Sequence, residues 1–202
     1  MKRDFQKEME AEISALGGTR PRLLLHACCA PCASAVLERL YPHFDVTLFY
    51  FNPNTHPEEE YEKRGGELPK LLRAAGMEDV PILWGEYDPD RFFAAAAGLE
   101  NEPEGGARCE KCFDLRLSGT AEAAKERGFA YFCTTLTVSP HKNAALINAI
   151  GEDLAARRGV KWLPADFKKK DGYLRSIRLS REYGLYRQCW CGCTFSMTEP
   201  MF

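Results

Sequence analysis

Nowhere in this chain of 202 residues does an apolar run approach the roughly 18 residues that a membrane-spanning helix needs, so no span is expected. The start, Met1-Lys2-Arg3-Asp4-Phe5, is charged and leads into no apolar stretch of a secretory leader, which points to a cytoplasmic protein. Excess charge of one sign is missing too. The formal net charge is −2, which argues against indiscriminate binding of polyanions. No internal repeat or low-complexity linker divides the chain, and Pro103-Glu104-Gly105-Gly106 is the best candidate for a flexible crossing. Such a length suits one domain with a sizeable core.

Cysteine, by contrast, is abundant. Eight of the nine fall in three clusters: Cys28, Cys29 and Cys32; Cys109 and Cys112; Cys189, Cys191 and Cys193. Cys133 stands apart. An odd count cannot pair completely within the chain, and neighbours such as Cys28 and Cys29 bridge each other only with strain. Thiols at this density in a reducing compartment point to metal ligation or redox chemistry rather than to a disulfide scaffold.

Hydrophobic spacing places these clusters. Phe5, Met9, Ile13 and Leu16 predict an amphipathic leading helix within residues 1–20. Residues 21–202 read as a single α/β domain, closing with a helical and cysteine-bearing segment over 166–202. Its strands are expected at Arg22–Cys29, Val46–Phe51, Val80–Trp84, Ala130–Leu136 and Val160–Leu163. Helices are expected after Ser34, over Glu58–Ala75 and Pro89–Ala97, from Cys109 through Arg127, and from about Lys142 to Arg158. Alternating strands and helices imply a mostly parallel sheet with helices on both faces, and a functional crevice beyond the carboxyl ends of the strands. The Cys28–Cys29 pair, the Asn52–His56 loop and the Ser139–Asn143 loop each follow a strand. They should share one rim.

The clusters carry different chemistry. Cys109-X-X-Cys112 opens a helix, where the positive end of the helix stabilises thiolates. With Cys28 and Cys29 it offers four soft ligands, suited either to tetrahedral zinc or to an iron–sulfur cluster. Adjacent cysteines fit a small tetrahedral knuckle poorly, and the spacing favours the cluster. The glycine of Cys191-Gly192-Cys193 allows a sharp bend, so these thiols could oxidise reversibly. Cys133 reads as a small buried hydrophobe, and Cys32 as either a ligand or a packing residue at a helix start. His26, on an apolar strand, reads as a hydrogen-bonded core group. His141, in a Ser-Pro-His-Lys-Asn loop, is the better candidate for substrate contact. The run Glu58–Glu60 reads as a solvated helix face that suits a helix N-terminus.

In order along the chain stand His26-Ala-Cys28-Cys29-Ala-Pro31, Tyr50-Phe-Asn52-Pro-Asn54-X-His56-Pro, Arg108-Cys109-X-X-Cys112-Phe and Thr135-Leu-Thr-Val-Ser-Pro-X-Lys142-Asn143. Asp166-Phe-Lys168-Lys169-Lys170-X-Gly-Tyr173, Tyr183-Gly-Leu-Tyr-Arg-Gln and the closing Cys-Gly-Cys complete the series. Each motif alone is weak. The ordered set, from about Leu23 to Ser196, resembles the QueH family of epoxyqueuosine reductases. That resemblance implies reductive deoxygenation of epoxyqueuosine to queuosine at the wobble position of tRNA, the last step of queuosine biosynthesis, with an external electron donor. It implies a [4Fe–4S] cluster held by Cys28, Cys29, Cys109 and Cys112, and a redox-active pair at Cys191 and Cys193. An adjacent mononuclear iron is also implied, with Cys32 and the closing cysteines as candidate ligands. Cys189 exceeds the usual closing pattern and has no assigned role. Asn52, Asn54, His56, His141, Lys142 and Asn143 become candidates for substrate contact. His141, Tyr173 and Asp166 are the candidates for proton donor.

A basic segment follows the last strand. Lys168, Lys169, Lys170, Arg175, Arg178, Arg181 and Arg187 face only Asp171 and Glu182, with Tyr173, Tyr183 and Tyr186 among them as stacking surfaces. By charge patterning alone this is a solvated helix face. Beside the resemblance it becomes the surface for the tRNA. The sheet pattern is Rossmann-like and also resembles the nucleotide-binding HUP/PP-loop superfamily. The loop after the first strand, however, has no glycine to close backbone amides on a phosphate, so the fold is expected without ATP chemistry. The rival function is a zinc-stabilised RNA-binding module without redox activity.

Overall fold

Residues 3–197 are described by a computed structural model. Met1 and Lys2 of the leading segment, and residues 198–202 of the closing one, lie outside the described residues. Five parallel strands form one sheet: β1 (Arg22–His26), β2 (Asp45–Tyr50), β3 (Ile82–Trp84), β4 (Tyr131–Thr134) and β5 (Lys161–Trp162). The spatial order β3-β2-β1-β4-β5 reverses between β1 and β4, the place where doubly wound sheets open their crevice.

Helices cover both faces, and strand pleating decides which residue goes where. Leu23 and Leu25 of β1 pack with Val36, Leu37 and Leu40 of α2 (Ala30–Leu40) and with Leu68 and Leu71 of α3 (Glu58–Ala74). Leu24, between them, faces the other side. It packs with Leu117 and Ala121 of α5 (Ala107–Glu126) and with Ile147 and Leu154 of α6 (Ala144–Arg158). The leading helix α1 (Phe5–Ala15) buries Met9 against the first core. It is also pinned by Arg3 to Glu152, by Lys169 to Asp4 and by Lys170 to Glu10. α4 (Pro89–Ala96) lies along α5, and α7 (Gly172–Glu182) along α2. No helix among the described residues is long and apolar enough to cross a membrane.

Local chemistry sets the boundaries that matter. Cys29 caps α2 in an extended conformation, and Pro31 stands in the first turn, where its missing N–H costs nothing. Strand β4 ends before Leu136: the Thr134 hydroxyl accepts from Leu136 N at 3.2 Å and starts a 3-10 turn over Thr135–Val138. The apolar run through Leu136 gave no sign of this, because a buried turn and a buried strand share the same composition. The acidic run at Glu58 also needs correction. Glu60 is buried, bound to Arg64 one helical turn on and to the Tyr186 hydroxyl, so only Glu58 and Glu59 form a solvated face.

Candidate metal and redox site

The three loops named from sequence do gather at the carboxyl ends of β1, β2 and β4. Cys28 follows β1, and its amide donates to Thr135 Oγ1 at 3.1 Å, while that hydroxyl donates to Cys28 Sγ at 3.2 Å. Cys28, Cys29 and Cys32 place their sulfurs within 4.8 Å of one another. Cys32, which the sequence left open, is therefore part of a thiol trio. Cys29 and Cys32 share their protons with Cys28, which holds the Cys28 thiol well below its ordinary pKa, pushes Cys29 up to about 11 and raises Cys32 as well. Three soft sulfurs this close are a donor set for a soft cation.

Cys109 and Cys112 stand in the first two turns of α5. The Gly105 amide donates to Cys109 Sγ at 3.2 Å. The loop before them is pinned by buried Arg108, whose guanidinium donates to the carbonyls of Leu99, Glu100 and Glu102. Burial raises both thiols. Cys112 and Cys193 pack in one apolar cluster with Phe92 and Ala96 of α4. In the closing loop the Cys193 thiol donates toward Cys191, which holds Cys191 well below its ordinary range and pushes Cys193 up. The Ser196 hydroxyl lies 3.1 Å from Cys191 Sγ. None of the nine cysteines is disulfide-bonded; Cys133 is fully buried and Cys189 exposed.

Two cavities join these groups. The smaller, about 70 Å³, is lined by Cys109, Cys112, Cys191 and Cys193. The larger, about 370 Å³, is lined by Cys28, Cys29, Cys32 and again Cys191. Arg116, His141 and Lys142 border both, so the cysteine clusters open onto one crevice. Two cations serve this sulfur-rich space. Arg116 is buried with no carboxylate partner among the described ion pairs. It donates to Asn52 Oδ1 at 2.6 Å and approaches Cys112 Sγ at 3.9 Å, while its Nε has no partner among the described residues. Burial works against the half-buried Lys142 ammonium, yet the charges of Cys28, Cys32 and Cys191 more than offset it and hold its pKa above the ordinary value.

The other residues named from sequence are placed differently. Asn52 is buried in the frame, donating to Ala27 O at 3.0 Å, and holds Arg116. Asn54 borders the smaller cavity and reaches Cys191 O at 3.5 Å; the backbone of His56 donates to Gly192 O, and its ring packs on Phe93. Asn143 caps α6 through Leu146 N and also borders the smaller cavity. Tyr173 lines the larger cavity. His26 is a core group as expected, its ring nitrogens on Thr134 Oγ1 and Phe51 O, and burial lowers its pKa to about 3. Lys168 pairs with Asp166 at 2.7 Å, and Arg175 grips Glu38 through two nitrogens. With Lys169 and Lys170 tied to α1, Arg178 and Arg181 are the exposed arginines that remain on α7. Arg64 and Trp190 were missed. The Glu60-X-X-X-Arg64 spacing was readable, but its burial was not.

A family model described as epoxyqueuosine reductase QueH matches residues 23–199. The chain belongs to the QueH family. Relatives named epoxyqueuosine reductase QueH include one from Streptococcus pyogenes serotype M1, 44% identical over 196 residues, which are 96% of this chain and 77% of that protein. One from Thermotoga maritima is 37% identical over 180 residues, covering 88% of this chain and 91% of the relative. In this QueH chain the matched segment spans all three cysteine clusters and every residue bordering the joined crevice.

Proposed function

We propose that this protein reduces epoxyqueuosine to queuosine at the wobble position of tRNA, acting in the cytoplasm with an external electron donor. The observation that carries this reading is the pair of adjoining cavities, one lined by Cys28, Cys29 and Cys32 and the other by Cys109 and Cys112, with Cys191, Arg116 and Lys142 bordering both. Its donor set fits iron: three sulfurs lie within 4.8 Å on one side, and Cys109 and Cys112 stand on the other. Cys28, Cys29, Cys109 and Cys112 would hold a [4Fe–4S] cluster, with Cys32 beside them toward an adjacent mononuclear iron. Such groups, when bound, supply single electrons and a Lewis-acidic position for an oxygen.

The chain's own residues account for the rest of the balance. Converting the epoxide to an alkene and water takes two electrons and two protons. Forming the Cys191–Cys193 disulfide releases two of each, and the external donor then restores the dithiol. The hydrogen bond from Cys193 makes Cys191 the better nucleophile of the pair. His141 and Tyr173, both at the crevice, are the proton donors this arrangement favours over Asp166, which is engaged with Lys168. Arg178 and Arg181 would meet the phosphate backbone. We read the fold as Rossmann-like and related to the HUP/PP-loop proteins, with cysteines where a phosphate loop would stand.

Iron and sulfide analysis of anaerobically purified protein, followed by mass spectrometry of tRNA nucleosides after incubation with reductant, tests this reading. Iron, sulfide and queuosine are expected together. Stoichiometric zinc with no turnover would replace the reductase with a zinc-stabilised RNA-binding module.

A further inference from the structure

We propose that the outer part of the larger cavity is a slot for a base turned out of the RNA stack, with Trp190 as its stacking platform and Gln188 as the residue that reads its edge. The proposal rests on the reading above that the substrate is a modified base in tRNA. A reacting atom inside an anticodon loop reaches buried sulfur only if its base leaves the stack. The cavity, about 370 Å³, lies within the roughly 300–1,000 Å³ typical of small-molecule sites. Cys28, Cys29 and Cys32 line it together with Tyr173, Gln188 and Trp190.

Trp190 is built as a platform. The Arg64 guanidinium lies 4.9 Å from its ring centroid and also donates to the Trp190 carbonyl at 3.3 Å. Arg64 is itself locked by Glu60 at 2.7 Å, so neither the ring nor its backbone is left loose. Arg187 lies 5.5 Å from the ring centroid of Tyr173, a cation for a neighbouring phosphate.

Gln188 Oε1, a buried acceptor in this lining, has no partner among the described residues. Buried polar groups are paired as a rule, by protein, water or ligand. A guanine-type edge offers a ring N–H donor, which suits the Gln188 acceptor. Adenine presents a lone pair at that ring position, which would face the Gln188 oxygen unpaired.

Anaerobic holoprotein and short anticodon hairpins bearing epoxyqueuosine, guanosine or adenosine at the wobble position test this. Trp190→Ala is expected to weaken binding of the epoxyqueuosine hairpin about tenfold and to raise KM with little change in kcat. Trp190→Phe should restore most of that affinity. Gln188→Ala is expected to weaken the epoxyqueuosine and guanosine hairpins about fivefold and leave the adenosine hairpin unchanged. Wild-type affinity in Trp190→Ala, equal losses in Trp190→Ala and Trp190→Phe, or equal losses on all three hairpins in Gln188→Ala would overturn the slot. Loss of the guanosine-over-adenosine preference in Gln188→Ala, with no reduction by wild-type protein, would sustain the slot and overturn the reading of function.

Discussion

Replacing Arg64 by methionine removes the cation from a pair that the fold has closed off from water. The two side chains are 2% and 9% exposed, and the Arg64 Nε to Glu60 Oε1 distance is 2.7 Å. On a solvated helix a pair four residues apart contributes only about 0.3–0.5 kcal/mol. Burial changes the outcome by an order of magnitude. Removing one partner leaves the other as an uncompensated buried charge, at a cost of about 3–5 kcal/mol. Glu60 would keep only the Tyr186 hydroxyl, at 3.2 Å, and Trp190 would lose both its carbonyl partner and the cation on its ring. For a chain of this size each kcal/mol moves Tm by roughly 2–4 °C, so Arg64→Met should melt about 10 °C lower. Thermal unfolding of the wild type, Arg64→Met, Glu60→Leu and the double variant forms a cycle. The double variant should recover more than half of the single losses, because no charge then remains buried. An Arg64→Met protein melting within about 2 °C of the wild type, or a double variant that simply adds the two losses, would refute the reasoning.

Other outcomes follow from other parts of the molecule. Gly151→Ala places a methyl 2.7 Å from Trp162 Cε3 and closer still to Cδ2 and Cε2. That ring packs on Phe132 and donates to Asn148, so it cannot swing away, and thermal unfolding should show a loss of about 1–3 kcal/mol. Arg178→Glu should weaken tRNA binding and flatten the dependence of log Kd on log salt, and a wild-type affinity that is flat in salt would remove α7 from the interface. Cys191→Ser should abolish single-turnover alkene formation in protein reduced and then freed of donor; undiminished turnover would remove the dithiol from the chemistry. Burial, with a smaller part from Tyr87, pushes the Tyr61 phenol up to about 12. The unfolded chain ionises that group near pH 10 while the folded chain keeps its proton, so stability should fall between pH 10 and 12. Tyr61→Phe should reduce that slope in denaturant titrations, and an unchanged slope would contradict the assignment.

Much of the architecture was legible because buried parallel strands and amphipathic helices leave different periods in a sequence. The Leu23–Leu25 run, the Phe5-Met9-Ile13 spacing and the Cys109-X-X-Cys112 helix start all lie where their patterns placed them. Boundaries set by side-chain capping were less legible. Thr134 ends β4 through a hydroxyl contact that composition does not reveal. Charges were the hardest to read: the basic run from Lys168 is tied in part to Asp166, Asp4, Glu10 and Glu38, residues remote along the chain or lost among ordinary surface acids.

The order of the motifs by itself determined the family, the element sequence and the rim at which chemistry would gather, since each depends on local pattern and on strand direction. Tertiary structure alone decided which thiols are neighbours, that Cys32 joins Cys28 and Cys29, and that Arg116 is buried against the Cys112 sulfur and the Asn52 amide. It also turned Glu60 and Arg64 from a surface pair into the anchor of the closing loop. Distances across a crevice and the loss of water around a charge arise only when remote segments meet, and neither leaves a periodic trace along the chain.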